Sequence, residues 1–272
     1  MTKDLAFFQF TDLGDNAVSG EGWHVDRFIV VKTLDGNDIV QGSLTGFYDF
    51  GIFNEGRIYL GLGGDTFKGV GGQIGVKNEN EINTGADNDI ITGVGSSIGI
   101  RSGYSRGIAE INTGAGNDVV KGTGRTTGIF NDGRIETGGG NDTITGISSG
   151  FGRGIANYGV IDTGGGNDIV DASRGPMSLN FVGSGIVSLG KGRDTLMGFG
   201  AGESEFFGGS GSDKLLLKKG TYDISGPTIA LSGSTGVMSV YQFEQIGGVN
   251  GGLFAFKDGT LTVNAAGVGT FA

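Results

Sequence analysis

Along most of the chain apolar residues sit singly between polar ones, as in Arg134-Ile135-Glu136 and Thr143-Ile144-Thr145. A period of two is that of a strand with one face buried, and Ile and Val suit the pleated surface it forms. These runs are separated by clusters of Gly, Asn and Asp, which are turn residues. The pattern predicts an all-β chain of many short strands.

The turn clusters themselves repeat. A unit of the form Thr-Gly-x-Gly-Asn-Asp-x-apolar-x-Gly has its best copies starting at Thr113, Thr137 and Thr163, with looser copies starting at Thr33, Leu60, Thr84, Leu189 and Gly208. Its Asp falls at Asp38, Asp65, Asp89, Asp118, Asp142, Asp168, Asp194 and Asp213, in steps of 27, 24, 29, 24, 26, 26 and 19 residues. Self-similarity at such a period marks a stacked repeat architecture. Upstream, Gly14-Asp15-Asn16-Ala17-Val18-Ser19-Gly20 looks like a decayed ninth copy with its Asp and Asn transposed.

Positions counted from that Asp reveal an inside. Two residues after it stand Val40, Phe67, Ile91, Val120, Ile144, Val170, Leu196 and Leu215; seven before it stand Val31, Ile58, Ile82, Ile111, Ile135, Ile161, Val187 and Phe206. Every one is apolar in a chain only 36% hydrophobic, so both columns are inward-facing stripes flanking the turn. Each copy is strand, turn, strand, and the copies stack into a parallel β-solenoid with coils about 4.8 Å apart. No coil can bury its stripe alone, so stability comes from stacking and the ends need caps.

A second motif lies midway between the acidic turns, in Gly51-Ile52-Phe53-Asn54, Gly75-Val76-Lys77-Asn78, Gly128-Ile129-Phe130-Asn131 and Gly154-Ile155-Ala156-Asn157. Asn tolerates left-handed turns, and its amide can bond the same amide one coil away. A structural ladder at a second corner is expected, giving two corners per coil, with an irregular stretch from Gly99 to Gly107 interrupting it. The predicted organisation is an N-terminal cap over 1–30, repeats over 31–217 and a β-rich cap over 218–272. That cap carries strands at Val237–Tyr241 and Gly259–Val263 and ends in Gly269-Thr270-Phe271-Ala272.

Composition narrows the chemistry. Among 272 residues, 60 glycines and 2 prolines without a collagen-like period point to tight turns on a regular lattice. A net charge of −10 disfavours nucleic acid and anionic membranes and suits divalent cations. Without cysteine there is no disulfide or thiolate site. No stretch has the length of a membrane span, and Met1 to Leu5 lack the features of a Sec signal.

Stacking sets each Asp over its neighbour, which is self-repulsive unless a cation lies between them. Ca²⁺ takes six to eight oxygens, mixing carboxylates with backbone carbonyls. The expected ligands are therefore the eight Asp residues together with the turn glycines Gly36, Gly63, Gly114, Gly116, Gly138, Gly140, Gly164, Gly166, Gly190, Gly192, Gly209 and Gly211, which let carbonyls turn inward.

These residues resemble the RTX (repeats-in-toxin) family, whose nonapeptide reads G-G-x-G-x-D-x-U-x with U large and apolar. Gly208-Gly209-Ser210-Gly211-Ser212-Asp213-Lys214-Leu215-Leu216 matches every fixed position, and the copies at Thr113, Thr137 and Thr163 match all but the first. The resemblance spans about residues 33 to 217. RTX β-rolls place two nonapeptides in each shorter coil, whereas one acidic turn per coil here implies a single row of ions. Leu34 and Asp87 stand where glycine is expected, which sets their two sites apart. The resemblance also implies type I secretion to the bacterial exterior through an uncleaved C-terminal signal. Folding would then follow calcium binding outside the cell, with metal contributing folding free energy in place of disulfides.

No reaction stands out. His24, beside Trp23, is the only histidine, too few for a histidine-rich zinc site. Gly95-Ser96-Ser97-Ile98-Gly99 and Gly146-Ile147-Ser148-Ser149-Gly150 match a nucleophile pattern but lack its strand-to-helix setting. Asp49, Glu55, Glu110, Asp132 and Glu136 are acids off the calcium row, read as solvated surface charge. The expected function is non-enzymatic: a secreted structural or adhesive solenoid in cell-surface, matrix or filament assembly, partnered by Ca²⁺, by itself or by a cell-surface polysaccharide. The alternatives are a calcium-dependent enzyme or enzyme companion acting on a polysaccharide or small metabolite, and an ice-binding protein using the rows of Thr (84, 113, 137, 163) and Asn (88, 117, 141, 167).

Overall fold

The computed structural model describes residues 3–5, 10–11, 13–46, 49–103, 109–176 and 179–272. Strands account for the regular structure, and no helix among the described residues is long and apolar enough to cross a membrane. The chain is a parallel β-solenoid of about 7 coils, roughly 26 residues each, consistent with a β-roll repeat protein.

One coil shows the construction. Glu110–Asn112 lies in a first sheet, the Gly-rich turn follows, Val119–Gly124 lies in a second sheet, Thr127–Asn131 in a third, and Arg134–Glu136 is back in the first. Each strand pairs in parallel with its counterpart one coil on, as in Ile111↔Ile135, Val120↔Ile144 and Ile129↔Ile155. The middle residue of the turn adds a narrow fourth ladder, from Asp35↔Leu62 through Gly139↔Gly165 and on to Lys191↔Ser210.

Both stripes read from the sequence face the core, and none of their residues is more than 4% exposed. The coil has three sides, however, not the two expected. A third stripe, Trp23, Ile52, Val76, Ile100, Ile129, Ile155 and Phe181, comes from the third sheet and is equally buried. The Asn motif therefore makes one of two remaining corners.

Glycine is used in two ways. In the acidic turns two positions take left-handed φ, for example Gly114 (84°) with Gly116 (151°) and Gly138 (86°) with Gly140 (131°). In the strands, Gly42, Gly69, Gly93, Gly122 and Gly146 of the second sheet face Gly51, Gly75, Gly99, Gly128 and Gly154 of the third. A Cβ on Gly122 would sit 2.1 Å from the carbonyl oxygen of Gly128. Backbone touches backbone there, so any side chain would force the sheets apart.

Differences in coil length are localised. From stripe to Asp is always seven residues, as from Ile82 to Asp89, whereas Asp to third stripe takes 11 residues from Asp65 to Val76 and 14 from Asp38 to Ile52. Variation therefore collects at the corner between the second and third sheets. The Asn corner also varies in two coils, with eight residues from Trp23 to Val31 and 11 from Ile100 to Ile111 against six from Ile52 to Ile58; part of the second stretch, 104–108, lies outside the described residues.

Parallel pairing begins before residue 31, because Asn16–Ser19 pairs with Ile39–Leu44 and Trp23–Val25 with Phe50–Asn54. Beyond Leu217 the chain turns antiparallel, with Gly220–Ser225, Thr228–Leu231, Gly259–Val263 and Gly269–Phe271 extending the first sheet from Val237–Tyr241, which itself pairs in parallel with Glu205–Phe207. The segment 245–248 returns to pair in parallel with Lys214–Leu217 before reversing into Gly251–Ala255.

A buried carboxylate column as candidate metal centre

At the base of every Gly-rich turn the Asp side chain points inward. Asp38, Asp65, Asp89, Asp118, Asp142, Asp168, Asp194 and Asp213 are each 1% exposed or less. The left-handed glycines on either side of the central turn residue reverse the chain within a few residues and bring it back with the carboxylate under the loop. Leu34 (φ 72°) and Asp87 (φ 78°) take the same backbone without being glycine, so both turns keep the shape of the others.

The carboxylates form one hydrogen-bonded column. The backbone N–H of each Asp donates to Oδ1 of the Asp one coil later, at 2.8 Å from Asp38 to Asp65, 2.7 Å from Asp65 to Asp89 and 2.8 Å at each step from Asp89 to Asp213. Oδ2 of all eight is buried and has no hydrogen-bond partner. An ionised oxygen in that position is costly unless something else satisfies it.

Burial accordingly drives these groups toward the neutral form. Desolvation, offset in part by the backbone N–H bonds and reinforced by the neighbouring carboxylates, pushes Asp65 up to about 8 and Asp194 to about 7. Burial likewise pushes Asp89 and Asp142 to about 6, where the backbone N–H bonds from Asp65 and Asp118 hold them down. Asp38, Asp118, Asp168 and Asp213 also shift upward through burial.

Two further columns frame this one. Thr33, Thr84, Thr113, Thr137 and Thr163 are fully buried, and their hydroxyls donate to the carbonyl one coil on, as Thr163 does to Leu189 at 2.7 Å. They present nothing to solvent, which removes the Thr half of an ice-binding face. Outside the turn the Asn side chains form an exposed ladder, with Asn141 Nδ2 on Asn117 Oδ1 at 3.0 Å and Asn167 Nδ2 on Asn141 Oδ1 at 2.9 Å.

The glycines expected as ligands are placed beside the carboxylates, and several carbonyls already carry one bond each. Gly114, Gly138, Gly164 and Gly190 accept from Gly139, Gly165, Lys191 and Ser210 of the next coil at 2.8–3.0 Å, and Gly192 accepts from Ser212 at 3.1 Å. A carbonyl has two lone pairs, so each keeps one for a further donor or ion. Gly36, Gly63, Gly116, Gly140, Gly166, Gly209 and Gly211 hold left-handed φ in the same turns. The donor set is oxygen throughout, with an orphaned buried carboxylate oxygen at each level, and hard-cation chemistry fits it.

The column is longer than the motif. Asp15 donates its N–H to Asp38 Oδ1 at 2.7 Å, and Asn16 pairs with Ile39. The ninth copy is therefore real and in register, with Asp15 in the acidic position, so the expected transposition does not occur. At the other end Glu244 continues the row with no glycine loop to announce it, accepting the N–H of Asp213 at 2.6 Å.

The opposite corner is structural. Asn54, Asn78, Asn131 and Asn157 are 1% exposed or less, and Ser102 takes the place of Asn in the irregular coil. Asn54 Nδ2 meets Asn78 Oδ1 at 2.8 Å, and Asn131 Nδ2 meets Asn157 Oδ1 at 2.8 Å.

Elsewhere, His24 is tied by its two ring nitrogens to different carboxylates, Nε2 to Glu55 at 3.0 Å and Nδ1 to Asp26 at 3.4 Å, and it stacks on Phe53. His24, Asp26 and Glu55 each offer one ligand atom within 4.8 Å of the others, away from the carboxylate column. Glu136 pairs with Arg134 on the first sheet, and Ser148 of the second Ser motif donates to the carbonyl of Arg125 at 3.0 Å. No family model, curated protein or solved structure matches the chain.

Proposed function

We propose that the protein is a calcium-binding, secreted β-solenoid of the RTX type, in which ions shared between successive Asp side chains lock the coils together. The observation that carries this reading is the buried, orphaned Oδ2 of all eight motif Asp residues. A proton neutralises one carboxylate at a time, whereas a divalent ion shared between successive carboxylates satisfies charge and coordination together. The turn residues would hold the ion through Asp carboxylates and glycine carbonyls, and the ion would supply the cross-coil attraction that the acids alone deny.

The role that suits this architecture is structural: a rigid rod, repeated exposed columns and no cluster of groups in catalytic geometry among the described residues. Those properties support a role in presentation at a cell surface, in a matrix or in a filament, with folding delayed until calcium is met outside the cell.

The test is circular dichroism during chelation with EGTA and calcium restoration, with calorimetric titration to count ions. Loss of β signal or a fall in Tm on chelation, reversed by calcium and not by magnesium at the same concentration, is expected. Full retention of signal and Tm after exhaustive chelation would mean that the column is a proton-bearing ladder and that the calcium reading is wrong.

A further inference from the structure

The two ends of the carboxylate column are finished differently. At the N-terminal end Asp15 turns its second oxygen back into its own loop, where Oδ2 accepts the backbone N–H of Thr11 at 2.5 Å and its hydroxyl at 3.1 Å. Protein donors close that end. At the C-terminal end Asp213 is fully buried with Oδ2 unpartnered, and the next group in line is the carboxylate of Glu244. Among the described residues no Lys, Arg or His pairs with either acid.

Glu244 reproduces the acidic turn by other means. Lys214↔Gln245 and Leu215↔Ile246 set it in register with Asp213. Gln242, two residues before it, has φ 59°, matching left-handed Gly211 two residues before Asp213. The backbone at 241–244 lacks the Gly-x-Gly loop that carries the Asp carboxylates of earlier coils. The extra methylene of Glu supplies the reach that the missing loop would have given, and its Oε2 takes the N–H bond that Oδ1 takes elsewhere.

The location matters more than the match. Between Asp213 and Glu244 the chain leaves the solenoid to build antiparallel strands, rejoins it where Val237–Tyr241 pairs in parallel with Glu205–Phe207, and reaches Glu244 three residues later. The carbonyl of Glu244 also accepts the N–H of Phe256 at 2.8 Å, from the segment that follows the next hairpin. One carboxylate pair therefore stands where the last coil and both halves of the C-terminal segment meet.

We propose that Asp213 and Glu244 form a terminal divalent-cation site that docks residues 220–271 onto the last coil, a proposal that rests on the calcium reading of the column. Glu244, unlike the eight Asp residues, is exposed, so this ion exchanges with solvent first and its occupancy governs attachment of the C-terminal segment separately from the order of the coils.

The experiment uses the full chain with Ca²⁺ as the probe. Glu244→Gln keeps an acceptor for the Asp213 N–H and removes the charge. Ions are counted by native mass spectrometry, and amide exchange is followed at several free-calcium concentrations. Against wild type, Glu244→Gln binds one ion fewer, and the calcium midpoint for protection of 220–271 rises at least tenfold, while the coils at 110–170 keep theirs. Asp118→Asn does the reverse, losing protection in the coils first. Unchanged ion count and unchanged protection of 220–271 in Glu244→Gln, with Asp118→Asn losing ions, overturns the terminal site and leaves the calcium column standing. A wild-type chain that binds no calcium overturns both. Should Glu244→Gln fail to fold, Glu244→Asp, which is too short to reach Asp213, is read in the same way.

Discussion

Asp142 accepts the backbone N–H of Asp118 at 2.8 Å through Oδ1, while Oδ2 of the same carboxylate is buried without a partner. One oxygen does structural work and the other is left for a charge. Substitutions separate the two roles. Asp142→Asn keeps the acceptor, so in EGTA its Tm equals or exceeds that of wild type, while in calcium it binds fewer ions and melts lower. Asp142→Ala also strands the Asp118 N–H, at a further cost of about 1–3 kcal/mol, seen as a lower urea midpoint with or without calcium.

The sign of the pH dependence reports what neutralises the column. In metal-free protein, Asp65 near 8, Asp194 near 7 and Asp89 and Asp142 near 6 hold protons that the unfolded chain, with ordinary Asp, has released. The folded state binds more protons between the unfolded and folded values, so stability is full below about pH 4 as far as these groups are concerned, falls as pH rises from 4 through 6, and levels off by about 8. With saturating calcium the ion must displace those protons, so the calcium-dependent increment in Tm grows over the same interval. Thermal melts at pH 5, 6, 7 and 8 with EGTA or calcium check both slopes; parallel curves exclude the linkage.

The facing glycines make a steric prediction with an internal control. Gly122→Ala puts a Cβ 2.1 Å from a backbone oxygen in the seam between the second and third sheets, and overpacking of this kind costs about 1–3 kcal/mol or more. Gly139→Ala, at the tip of a turn with nothing near the new Cβ and no left-handed φ, is neutral or gains about 0.4–1 kcal/mol through the unfolded state. Urea titration of the two variants checks the contrast.

Asn131 holds three partners at the other corner: Asn157 Oδ1 at 2.8 Å, the carbonyl of Val160 at 3.0 Å and the N–H of Gly133 at 3.2 Å. Asn131→Ala removes them inside the core and lowers stability by about 1–3 kcal/mol for each group left unpaired. Asn131→Ser, which copies Ser102 of the neighbouring coil, costs less. Equal unfolding midpoints for these two variants and wild type would show that the ladder contributes little.

What the sequence made legible was whatever kept a constant distance from the acidic turn. The stripes at Val120 and Ile111 stand at fixed offsets from Asp118 and its equivalents, so two sides of the coil were visible. The third side, at Ile129, was hidden because its distance from the Asp changes between coils. The glycine closing each repeat, such as Gly122, was seen as part of the motif, but its reason, contact with Gly128 across the seam, exists only in three dimensions. Glu244 was missed because no glycine surrounds it, and Asp15 was misplaced by one residue because the motif there is degraded. Thr113 and Thr137 looked like surface hydroxyls; their partners are carbonyls one coil away, which no local pattern reveals.

The uneven coil lengths divide the molecule into a part that must stay periodic and a part that is free to vary. The arm leading into each acidic turn never changes length, because a single inserted residue would invert its facing and break the column. Insertions instead enter the other two corners, and at the edge between the second and third sheets Phe151 is 89% exposed. Foreign segments grafted at that edge would be displayed at intervals set by the stacking of the coils, so the rod behaves as a ruler whose markings can be rewritten without altering its graduation.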